Sequence, residues 1–583
     1  MKAASSSSKK TMFIHWFRHG DLRLHDNPAL THTIDLAKNQ SNNNAEEEGI
    51  VPMFCFDPRV FGNSATSEFG SLKCGSRRAQ FVIDSVADLR KSLEEKGSGL
   101  LVAHGKPEDV FESMFEGMEE KVIPKIVCQE EVASEEKKVN KKVKSVLKRL
   151  EQNSAMDYVW GSTMYDPDSL PFQDGLYGMP DTFTPFRNKV EKKCTIGHPL
   201  PSPSKSQLAM SGTLKSKLPD TKSCSLTYLP TLSELGYTPE QIKEAEYDSR
   251  SVMAFKGGES AALARVKDYI WDKDLLKTYF DTRNGMLGAD YSTKFSPWLA
   301  HGCVSPRYVA TQCQKYEKER VQNKSTYWVV FELLWRDFFK FFAVKHGNAI
   351  FFLDGTLGKK AHGEHPNSRR WSLDKRHLQA WKEGKTGYPL VDANMRELAA
   401  SGFMSNRGRQ NVCSFLSIDM KTDWRYGADH FEQELLDYDI YSNWGNWCAG
   451  AGMTGGRLNR FNIVKQSKDY DQNGDYVKCW CPELKDVPIE FVHEPWKMSK
   501  EQQIEYECVL GVDYPNPVVP PSKPTYRSND GGGRGGGKGK GGRGQNKRGG
   551  GGGRGGGNKD NKNRIKSQRK DMKSLKEGTY RFG

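Results

Sequence analysis

The chain has 583 residues, of which 36% are hydrophobic, and a net charge of +14. This length predicts two folded domains or one large two-lobed unit. No stretch approaches the ~18 consecutive apolar residues of a membrane-spanning helix, and the opening MKAASSSSKKTMFIHWF enters a strand-like run too early for a secretion signal. Twelve scattered cysteines lack the spacing of a metal site. We expect an intracellular protein with reduced thiols, no metal and no membrane partner.

The first 160 residues alternate between short apolar runs and helical patterns. The apolar runs cover residues 12–17, 50–56, 99–104, 125–130 and 156–161. Strict alternation of strand and helix predicts an α/β domain with a doubly wound parallel sheet, over residues 11–190. Such sheets bind ligands at the carboxyl ends of their strands.

Changes of composition divide the rest of the chain. Residues 191–250 contain a Pro-, Ser- and Lys-rich stretch without periodicity and predict an interdomain linker. Residues 251–495 carry apolar stripes at helical spacing and predict an all-α domain. We assign 496–527 to a C-terminal extension and 528–583 to a disordered Gly-, Arg- and Lys-rich tail.

The helical region concentrates tryptophans, arginines and acids. Its five tryptophans between 371 and 447 are Trp371, Trp381, Trp424, Trp444 and Trp447. Tryptophan rings can lose an electron to a strong oxidant and pack on planar cofactors, although tryptophans in helices most often just fill a core. Arg407 and Arg409, with Asp437 and Asp439, suit a ligand that has both phosphates and polar ring edges. The pattern favours an electron-transfer site.

Five motifs then resemble one family in order and spacing. They are WFRHGDLRLHDNPAL (16–30), DYSTKFSPWLAHGCVSPR (290–307), ELLWRDFF (332–339), GYPLVDANMRELAASGFMSNRGRQ (387–410) and DWRYGADHFEQELLDYDIYSNWGNW (423–447). Over about residues 11–490 the chain is similar to the photolyase and cryptochrome family. The stretches YSTKFSPWLA, NRGRQN and DYDIYSNWGNW resemble its cryptochrome DASH branch.

The resemblance implies that the helical domain binds FAD in a folded, U-shaped form. The positions matching the family's phosphate-binding residues are Tyr279, Ser292, Thr293, Lys294, Phe295 and Ser296. The positions matching residues around the flavin ring are Asn406, Arg409, Asp437, Tyr438, Asp439 and Asn443. Among these, Arg409 and Asp437 match an ion pair beside the ring, and Asn443 matches the position that faces flavin N5.

Roles in electron transfer and repair follow from the same resemblance. Trp447, Trp424 and Trp371 match, from inside to outside, a chain that carries electrons from the surface to the flavin. The positions matching contacts to a pyrimidine dimer are Glu332, Trp335, Asn406, Arg407 and Gln410. Glu332 is expected to hydrogen-bond the damaged bases, and Trp335 to stack on them.

The resemblance also implies a bound antenna chromophore. Glu131 and Glu135 lie where the family binds a folate, 5,10-methenyltetrahydrofolate, after the fourth strand. Acidic residues at a helix start are common for other reasons, so this assignment rests on the resemblance alone.

The chain also departs from the family pattern. Gln410 replaces a methionine of enzymes that act on duplexes, and Ala449 stands where those enzymes place a second aromatic wall. Loss of one stacking wall costs ~1 to 3 kcal/mol of flipped-base binding, and extracting a paired dimer costs a few kcal/mol more. A dimer in a single strand is therefore the expected substrate. His19 and Gly20 occupy one residue more than the family's usual motif.

Three functions remain open at this point. The first is light-driven repair of cyclobutane pyrimidine dimers in single-stranded DNA by a monomeric flavoprotein. The second is a blue-light photoreceptor that signals through photoreduction of FAD. The third is a protein that binds RNA or single-stranded nucleic acid through its tail, with the folded body as a scaffold.

The tail carries most of the net charge. Residues 530–583 contain sixteen Lys and Arg against four Asp and Glu, a surplus of +12. Residues 531–557 include eighteen glycines, which keep the arm mobile while its arginines pair with phosphates and stack on bases. The alternative is a solvated solubility tail. The basic segment NKNRIKSQRK favours the nucleus or the cytoplasm.

Deletion of residues 528–583 should weaken binding to RNA and single-stranded DNA at low salt. Log affinity should fall with log salt at roughly −0.7 per phosphate contacted, so the truncated protein should show a flatter slope with an unchanged FAD spectrum. A tail of equal length with Gln at every Lys and Arg position is the control for lost bulk. An unaltered slope after truncation would show that the arm does not touch nucleic acid.

Overall fold

The computed structural model describes residues 10–521, apart from 42–48, 119, 173–175, 362–369 and 457. The tail predicted over 528–583 lies outside the described residues. The strands are β1 Thr11–Phe17, β2 Val51–Phe56, β3 Leu101–His104, β4 Ile123–Gln129, β5 Ala155–Val159 and β6 Cys224–Ser225. The helices of the first part are α1 Pro28–Ser41, α2 Ser76–Glu95, α3 Pro107–Glu116, α4 Ser134–Leu150, α5 Phe183–Lys193, α6 Lys205–Leu208, α7 Gly212–Lys217 and α8 Pro239–Glu244. Those of the second part are α9 Glu259–Lys267, α10 Tyr279–Thr282, α11 Ser296–Ala300, α12 Pro306–Glu319, α13 Lys324–His346, α14 Lys375–Lys382, α15 Pro389–Ser401, α16 Asn406–Ser414, α17 Trp424–Glu434, α18 Ile440–Gly450, α19 Ile463–Tyr470, α20 Asp475–Trp480, α21 Ile489–Val492 and α22 Lys500–Glu505.

The strands form one sheet in the order β5-β4-β1-β2-β3-β6. Strands β1 to β5 pair parallel with one another. Every residue of β2 is buried, as expected for a parallel strand that is covered on both faces. The α/β fold with a following helical part is thereby confirmed.

The sixth strand was not predicted. It comprises two residues, Cys224–Ser225, and pairs antiparallel with β3. It lies within 191–250, the stretch predicted as a linker, which also contains α5's last turn and the short helices α6 to α8. A segment of two residues is too short to show an apolar periodicity. It becomes a strand because it pairs with the free edge of β3. The domain boundaries themselves stay predictions.

Polar contacts tie the first sequence motif to the helical part. The Arg23 guanidinium donates to the carbonyls of Gly161 and Gly302, both at 3.0 Å. The Glu259 carboxylate accepts the backbone N–H groups of Leu24 at 2.7 Å and His25 at 3.0 Å. Because all these groups are buried or nearly so, they hold the sheet against the helices in a fixed position.

The C-terminal extension packs on the same body. The Tyr514 hydroxyl donates to the buried Asp392 carboxylate at 2.6 Å. Four residues later the Val518 N–H donates to the Thr386 carbonyl at 2.9 Å. Specific contacts therefore hold the extension on the body as far as Val518.

The extra residues of the first motif lie at the contact with the helical part. The His19 ring packs 5.2 Å from Phe61 and 5.6 Å from Phe54, measured between ring centroids. Gly302 has φ +67°, and a Cβ there would overlap the Gly20 carbonyl oxygen. The backbone at Gly20 therefore lies in direct contact with the backbone of the loop after α11, with no space for a side chain between them.

Substitution Gly302→Ala should destabilise the fold by more than the roughly 1–2 kcal/mol that a left-handed conformation costs an alanine. The additional cost comes from the overlap with Gly20. Gly288→Ala is the matched control, because Gly288 has φ +83° with open space where a Cβ would lie. Denaturant unfolding of both variants measures the difference, and equal destabilisation would mean that this close approach contributes nothing.

Candidate functional site

The main pocket of the helical part is a cleft with about 990 Å³ of empty space, part of which is open to solvent. Its walls come from α13, α16, the loop before α11 and the segment leading into α18. The residues of the predicted cofactor set that line it are Tyr279, Ser292, Thr293, Lys294, Phe295, Ser296, Asn406, Arg409, Asp437 and Asp439. Ten of the twelve predicted positions thus meet around one cavity.

Tyr438 and Asn443 are the two that do not line the main pocket. The Tyr438 ring lies under the Arg78 guanidinium at 4.8 Å and faces a different cavity. The Asn443 side chain is buried and donates through Nδ2 to the Ala428 carbonyl at 2.9 Å. Along helix α18, Ser442 reaches the pocket instead.

A buried ion pair lies in the pocket wall. Arg409 Nη2 and Asp437 Oδ2 are 2.7 Å apart, with side chains 8% and 2% exposed. Arg409 also donates through Nε to the Met404 carbonyl at 2.9 Å. Helix α16 presents the guanidinium because Ser405 caps its start and accepts the Gly408 N–H. The pair brings a positive charge to the cavity without leaving it uncompensated.

Two buried oxygens of pocket-lining residues, Oδ1 of Asp437 and Oδ1 of Asn406, have no hydrogen-bond partner among the described residues. Buried polar atoms are nearly always satisfied, so these acceptors fit a ligand that supplies N–H and O–H donors. A flavin with ribityl and adenine groups is such a ligand.

The loop before α11 has an unusual backbone. Lys294 has φ +59° and a buried ammonium that donates to the Ser292 hydroxyl at 2.9 Å and lies 3.0 Å from the centroid of the Tyr291 ring. Burial holds the pKa of Lys294 well below its usual value. Arg265 fixes the loop by donating to the Thr293 carbonyl at 3.1 Å. The loop thus offers hydroxyl groups and a lysine whose charged form a phosphate would stabilise.

A buried carboxyl lies behind this wall and was missed by sequence reasoning. Burial raises the pKa of Glu397 to about 8. Its Oε2 accepts the Tyr476 hydroxyl at 2.6 Å, and Lys294 and Arg409 act on it electrostatically. No sequence motif identifies Glu397 as a buried residue. In the sequence it looks like an ordinary glutamate on the polar face of helix α15.

The predicted substrate carboxylate, Glu332, lines the main pocket. It pairs with Arg283 and accepts the Trp328 Nε1–H at 3.0 Å. Arg283 is a second residue that sequence reasoning missed. The available signal was its spacing of four from Tyr279, which places both side chains on one face of a helical turn.

Trp335 is placed differently from the prediction. Its side chain is buried, its ring stacks on Phe183 with centroids 3.6 Å apart and planes 9° apart, and it does not line the main pocket. The helix explains this: the pocket-lining positions of α13 are Val329, Glu332, Leu333 and Arg336, and Trp335 points to the side of that stripe. Its stacking face is occupied by α5.

The other predicted substrate residues form a polar group at the start of α16. Arg407 donates to Asn284 Oδ1 at 2.9 Å and to Gln410 Oε1 at 3.0 Å. Its guanidinium lies 4.7 Å from the centroid of the Tyr470 ring. Of this group only Asn406 lines the main pocket itself, and Ala449, where a second wall was looked for, is buried.

The predicted electron chain is buried at its inner end. Trp447 and Trp424 are fully buried, and Trp371 is half-buried. Trp447 packs against Gly427 of α17, three residues beyond Trp424, so closely that a Cβ there would overlap its ring. Trp371 lies outside helices, beside the bridge between Ser372 and Thr422.

The predicted antenna residues line one interior cavity between the sheet and the helices. Glu131 Oε2 accepts the Tyr441 hydroxyl at 3.1 Å and lies 3.6 Å from Lys340 Nζ. Glu135 pairs with Lys73 at 3.0 Å and is largely exposed. Tyr438 lines the same cavity.

The described part of the chain offers neither a membrane span nor a metal site. No helix there is long and apolar enough to span a membrane. No group of three or more His, Cys, Asp or Glu there could hold a metal ion.

Comparisons with known proteins agree in their result. The sequence matches the family model for DNA photolyase over residues 13–204 and that for the FAD binding domain of DNA photolyase over residues 328–530. It is 48% identical to the chloroplastic/mitochondrial cryptochrome DASH of Ostreococcus tauri over 88% of this chain and 91% of the relative. It is 45% identical to the cryptochrome DASH of Gloeobacter violaceus over 88% and 93%.

Solved structures are similar as well. The Synechocystis cryptochrome is 41% identical, with a TM-score of 0.75 over 88% of this chain and 97% of that one. A bacterial class III photolyase from Agrobacterium tumefaciens is 25% identical, with a TM-score of 0.68 over 89% and 96%.

The raised pKa of Glu397 predicts a pH effect on stability. Between its ordinary value of 4.5 and about 8, the folded protein holds a proton that the unfolded chain releases, so this group lowers stability as pH rises. Glu397→Gln stays neutral and should gain stability relative to wild type across this window, by at most about 1.4 kcal/mol per pH unit.

Denaturant unfolding at about pH 5 and about pH 8 measures the difference. Glu505→Gln, a change at an exposed glutamate of α22, is the control and should follow wild type at both values. A difference between Glu397→Gln and wild type that does not change with pH would contradict the shifted titration.

Proposed function

Because the chain belongs to the photolyase/cryptochrome family, in its cryptochrome DASH branch, we propose that it repairs cyclobutane pyrimidine dimers preferentially in single-stranded DNA. Membership of the family makes it a flavoprotein with an FAD-binding domain and supports DNA photolyase activity in general. The strand preference, the roles of single residues and the electron path are the proposal.

The single observation that carries the proposal is a cavity that pairs a flavin-compatible wall with a substrate carboxylate. FAD, when bound and reduced, supplies on excitation by light the electron that opens the dimer. Arg409 and Asp437 would hold the ring edge, and the Ser292–Ser296 loop the phosphates. Glu332 reaches the same cavity from α13, so substrate and cofactor would be neighbours.

Glu332 is suited to hold a pyrimidine edge. Its ion pair with Arg283 and the hydrogen bond from Trp328 fix the carboxylate in one orientation before substrate enters. A carboxylate accepts the ring N–H groups of a thymine, and a preset orientation reduces the entropy lost on binding. Asn406 and the group of Arg407 and Gln410 would supply further polar contacts.

The preference for single strands is supported by the aromatic residues around the cavity. The Trp335 side chain is buried and Phe183 stacks on one face of its ring, so the ring is not open to a base, and Ala449 has no ring. Each missing stacking partner costs ~1 to 3 kcal/mol per base, which removes much of the energy needed to pull a paired dimer out of a duplex. Dimers in a single strand do not require that step.

For recharging the cofactor we propose the chain of Trp447, Trp424 and Trp371. Two fully buried rings followed by a half-buried one fit a path from the interior to an external reductant. Replacement of an inner tryptophan by phenylalanine would interrupt it, because phenylalanine is much harder to oxidise.

A photoreceptor function is the second candidate. It is favoured by the covered face of Trp335, which weakens substrate binding without touching the tryptophan chain. Binding of RNA or DNA by the tail stays a further proposal, as do a monomeric state and a nuclear or cytoplasmic location. A folate antenna in the interior cavity of Glu131 and Glu135 is also proposed, since amide and ring N–H groups of a folate would pair with these carboxylates.

The deciding experiment is repair by Glu332→Gln and wild type of an oligothymidine dimer, single-stranded and in a duplex, with and without blue light. The variant keeps the side-chain volume but loses the charge, and a charged hydrogen bond is worth about 1.5–3 kcal/mol. We expect single-strand repair to fall about tenfold or more while the FAD absorption spectrum is unchanged.

Glu319→Gln serves as the control, because this glutamate is exposed at the end of α12, and it should repair like wild type. Equal repair of duplex and single-stranded dimers by wild type would refute the strand preference. No repair of either substrate by wild type would leave the photoreceptor as the leading function.

A further inference from the structure

Trp444 joins the tryptophan cluster from a side that the predicted chain does not use. Its ring centroid is 6.0 Å from that of Trp424, at an interplanar angle of 74°. Trp444 also packs edge to face on Phe351 at 5.3 Å. Two aromatic rings in contact can exchange an electron. Once Trp424 is oxidised, it can therefore take an electron from Trp444.

The hydrogen-bond partner of Trp444 differs in kind from those of its neighbours. Its Nε1–H donates to Glu432 Oε2 at 3.1 Å and also lies 3.3 Å from the Tyr438 hydroxyl oxygen, whereas Trp424 donates to the Leu353 carbonyl at 3.1 Å and Trp381 to the Val412 carbonyl at 3.3 Å. An oxidised indole is a strong acid. A carboxylate can take its proton and a backbone carbonyl cannot, so an electron vacancy would be trapped at Trp444.

Glu432 is placed to act as a base. Burial raises the pKa of the Glu432 carboxyl, which makes its ionised form a stronger proton acceptor. Lys73 lies 3.3 Å from Glu432 Oε1, while the glutamate side chain is only 8% exposed. The lysine favours the ionised form of the carboxylate, and the low exposure protects the transferred proton from exchange with water.

Trp444 also has an exit to solvent. It lines a second pocket together with Asn348, Phe351, Phe352 and Glu432, and Phe352 is 58% exposed. A small molecule in this pocket would contact the tryptophan ring directly, without crossing the main pocket.

We propose that Trp444 is a second end point of the electron chain, reached from Trp424, with Glu432 as its proton acceptor and a small thiol as its reductant. This rests on the proposed tryptophan chain. Trp447 gives one electron to the light-excited cofactor, Trp424 refills Trp447, and Trp444 refills Trp424. Trp444 then passes its Nε1 proton to Glu432 and becomes a neutral radical.

The thiol closes the cycle. One thiolate in the second pocket gives one electron to the Trp444 radical, and Glu432 returns the proton to Nε1. The thiol is left as a thiyl radical, and two such radicals combine to a disulfide. One disulfide thus forms for every two electrons that reach the cofactor.

The test compares holoprotein freed of any bound folate in five forms: wild type, Trp371→Phe, Trp444→Phe, the double variant Trp371→Phe/Trp444→Phe, and Trp424→Phe. Dithiothreitol is the reductant. We expect Trp371→Phe to retain part of the photoreduction and the double variant to lose it to the level of Trp424→Phe. Trp480→Phe, a change at a buried tryptophan outside the cluster, should behave as wild type.

Two readouts do not depend on photoreduction itself. Transient absorption should show a long-lived neutral tryptophan radical that is lost in Trp444→Phe and in Glu432→Gln, since a glutamine cannot accept the proton. Peptide mass spectrometry after prolonged illumination without thiol should find oxidation products at Trp444.

The results that would refute the second end point differ from those that would refute the proposed tryptophan chain. If Trp371→Phe alone abolishes photoreduction, if the neutral radical persists unchanged in Trp444→Phe, or if no oxidation product appears at Trp444 in wild type, the second end point is refuted. Wild-type photoreduction in Trp424→Phe would instead refute the proposed chain as a whole.

Discussion

The buried ion pair of Arg409 and Asp437 sets the conditions for the whole helical part. Two charges removed from water cost several kcal/mol each unless they meet at close range and their other atoms are satisfied. The distance of 2.7 Å and the bond to Met404 meet most of that requirement. One oxygen of Asp437 has no protein partner among the described residues, so a bound ligand completes the arrangement, and ligand binding and stability become linked.

Other buried polar contacts hold two distant parts of the sequence in place around one cavity. The loop before α11 and the middle of α13 both line it, and Arg23, Glu259 and Asp337 fasten the sheet to the helices. Asp337 accepts the N–H groups of Met164 at 3.0 Å and Tyr165 at 2.9 Å. Such contacts carry no information about chemistry, but they determine which side chains can share a pocket.

Sequence predicts the features that depend on residue type or local periodicity, and it does not predict contacts between distant residues. The parallel strands appear as continuous apolar runs because both their faces are buried, and the loop residues Ser292 and Thr293 carry their chemistry in their type. The direction in which a helical side chain points depends on packing from elsewhere. Trp335 faces α5 because Phe183 lies there, and no local pattern shows that contact. Neither the pairing of Arg283 with Glu332 nor the two-residue β6 has a signal within a short window.

The proposed electron path and the proposed substrate contacts use different side chains of this chain. Trp424, Trp444 and Trp447 lie in the tightly packed core of α17 and α18, where glycines at 427 and 445 allow rings to approach, so their geometry resists change. The substrate side depends on polar groups at the rim and lacks the aromatic walls that grip a flipped base. Under the proposed function, light-driven electron transfer would persist while the affinity for damaged DNA changes, because the two properties would depend on different side chains. Repair and light sensing would then be two uses of one electron path, and the strength of substrate binding would decide between them.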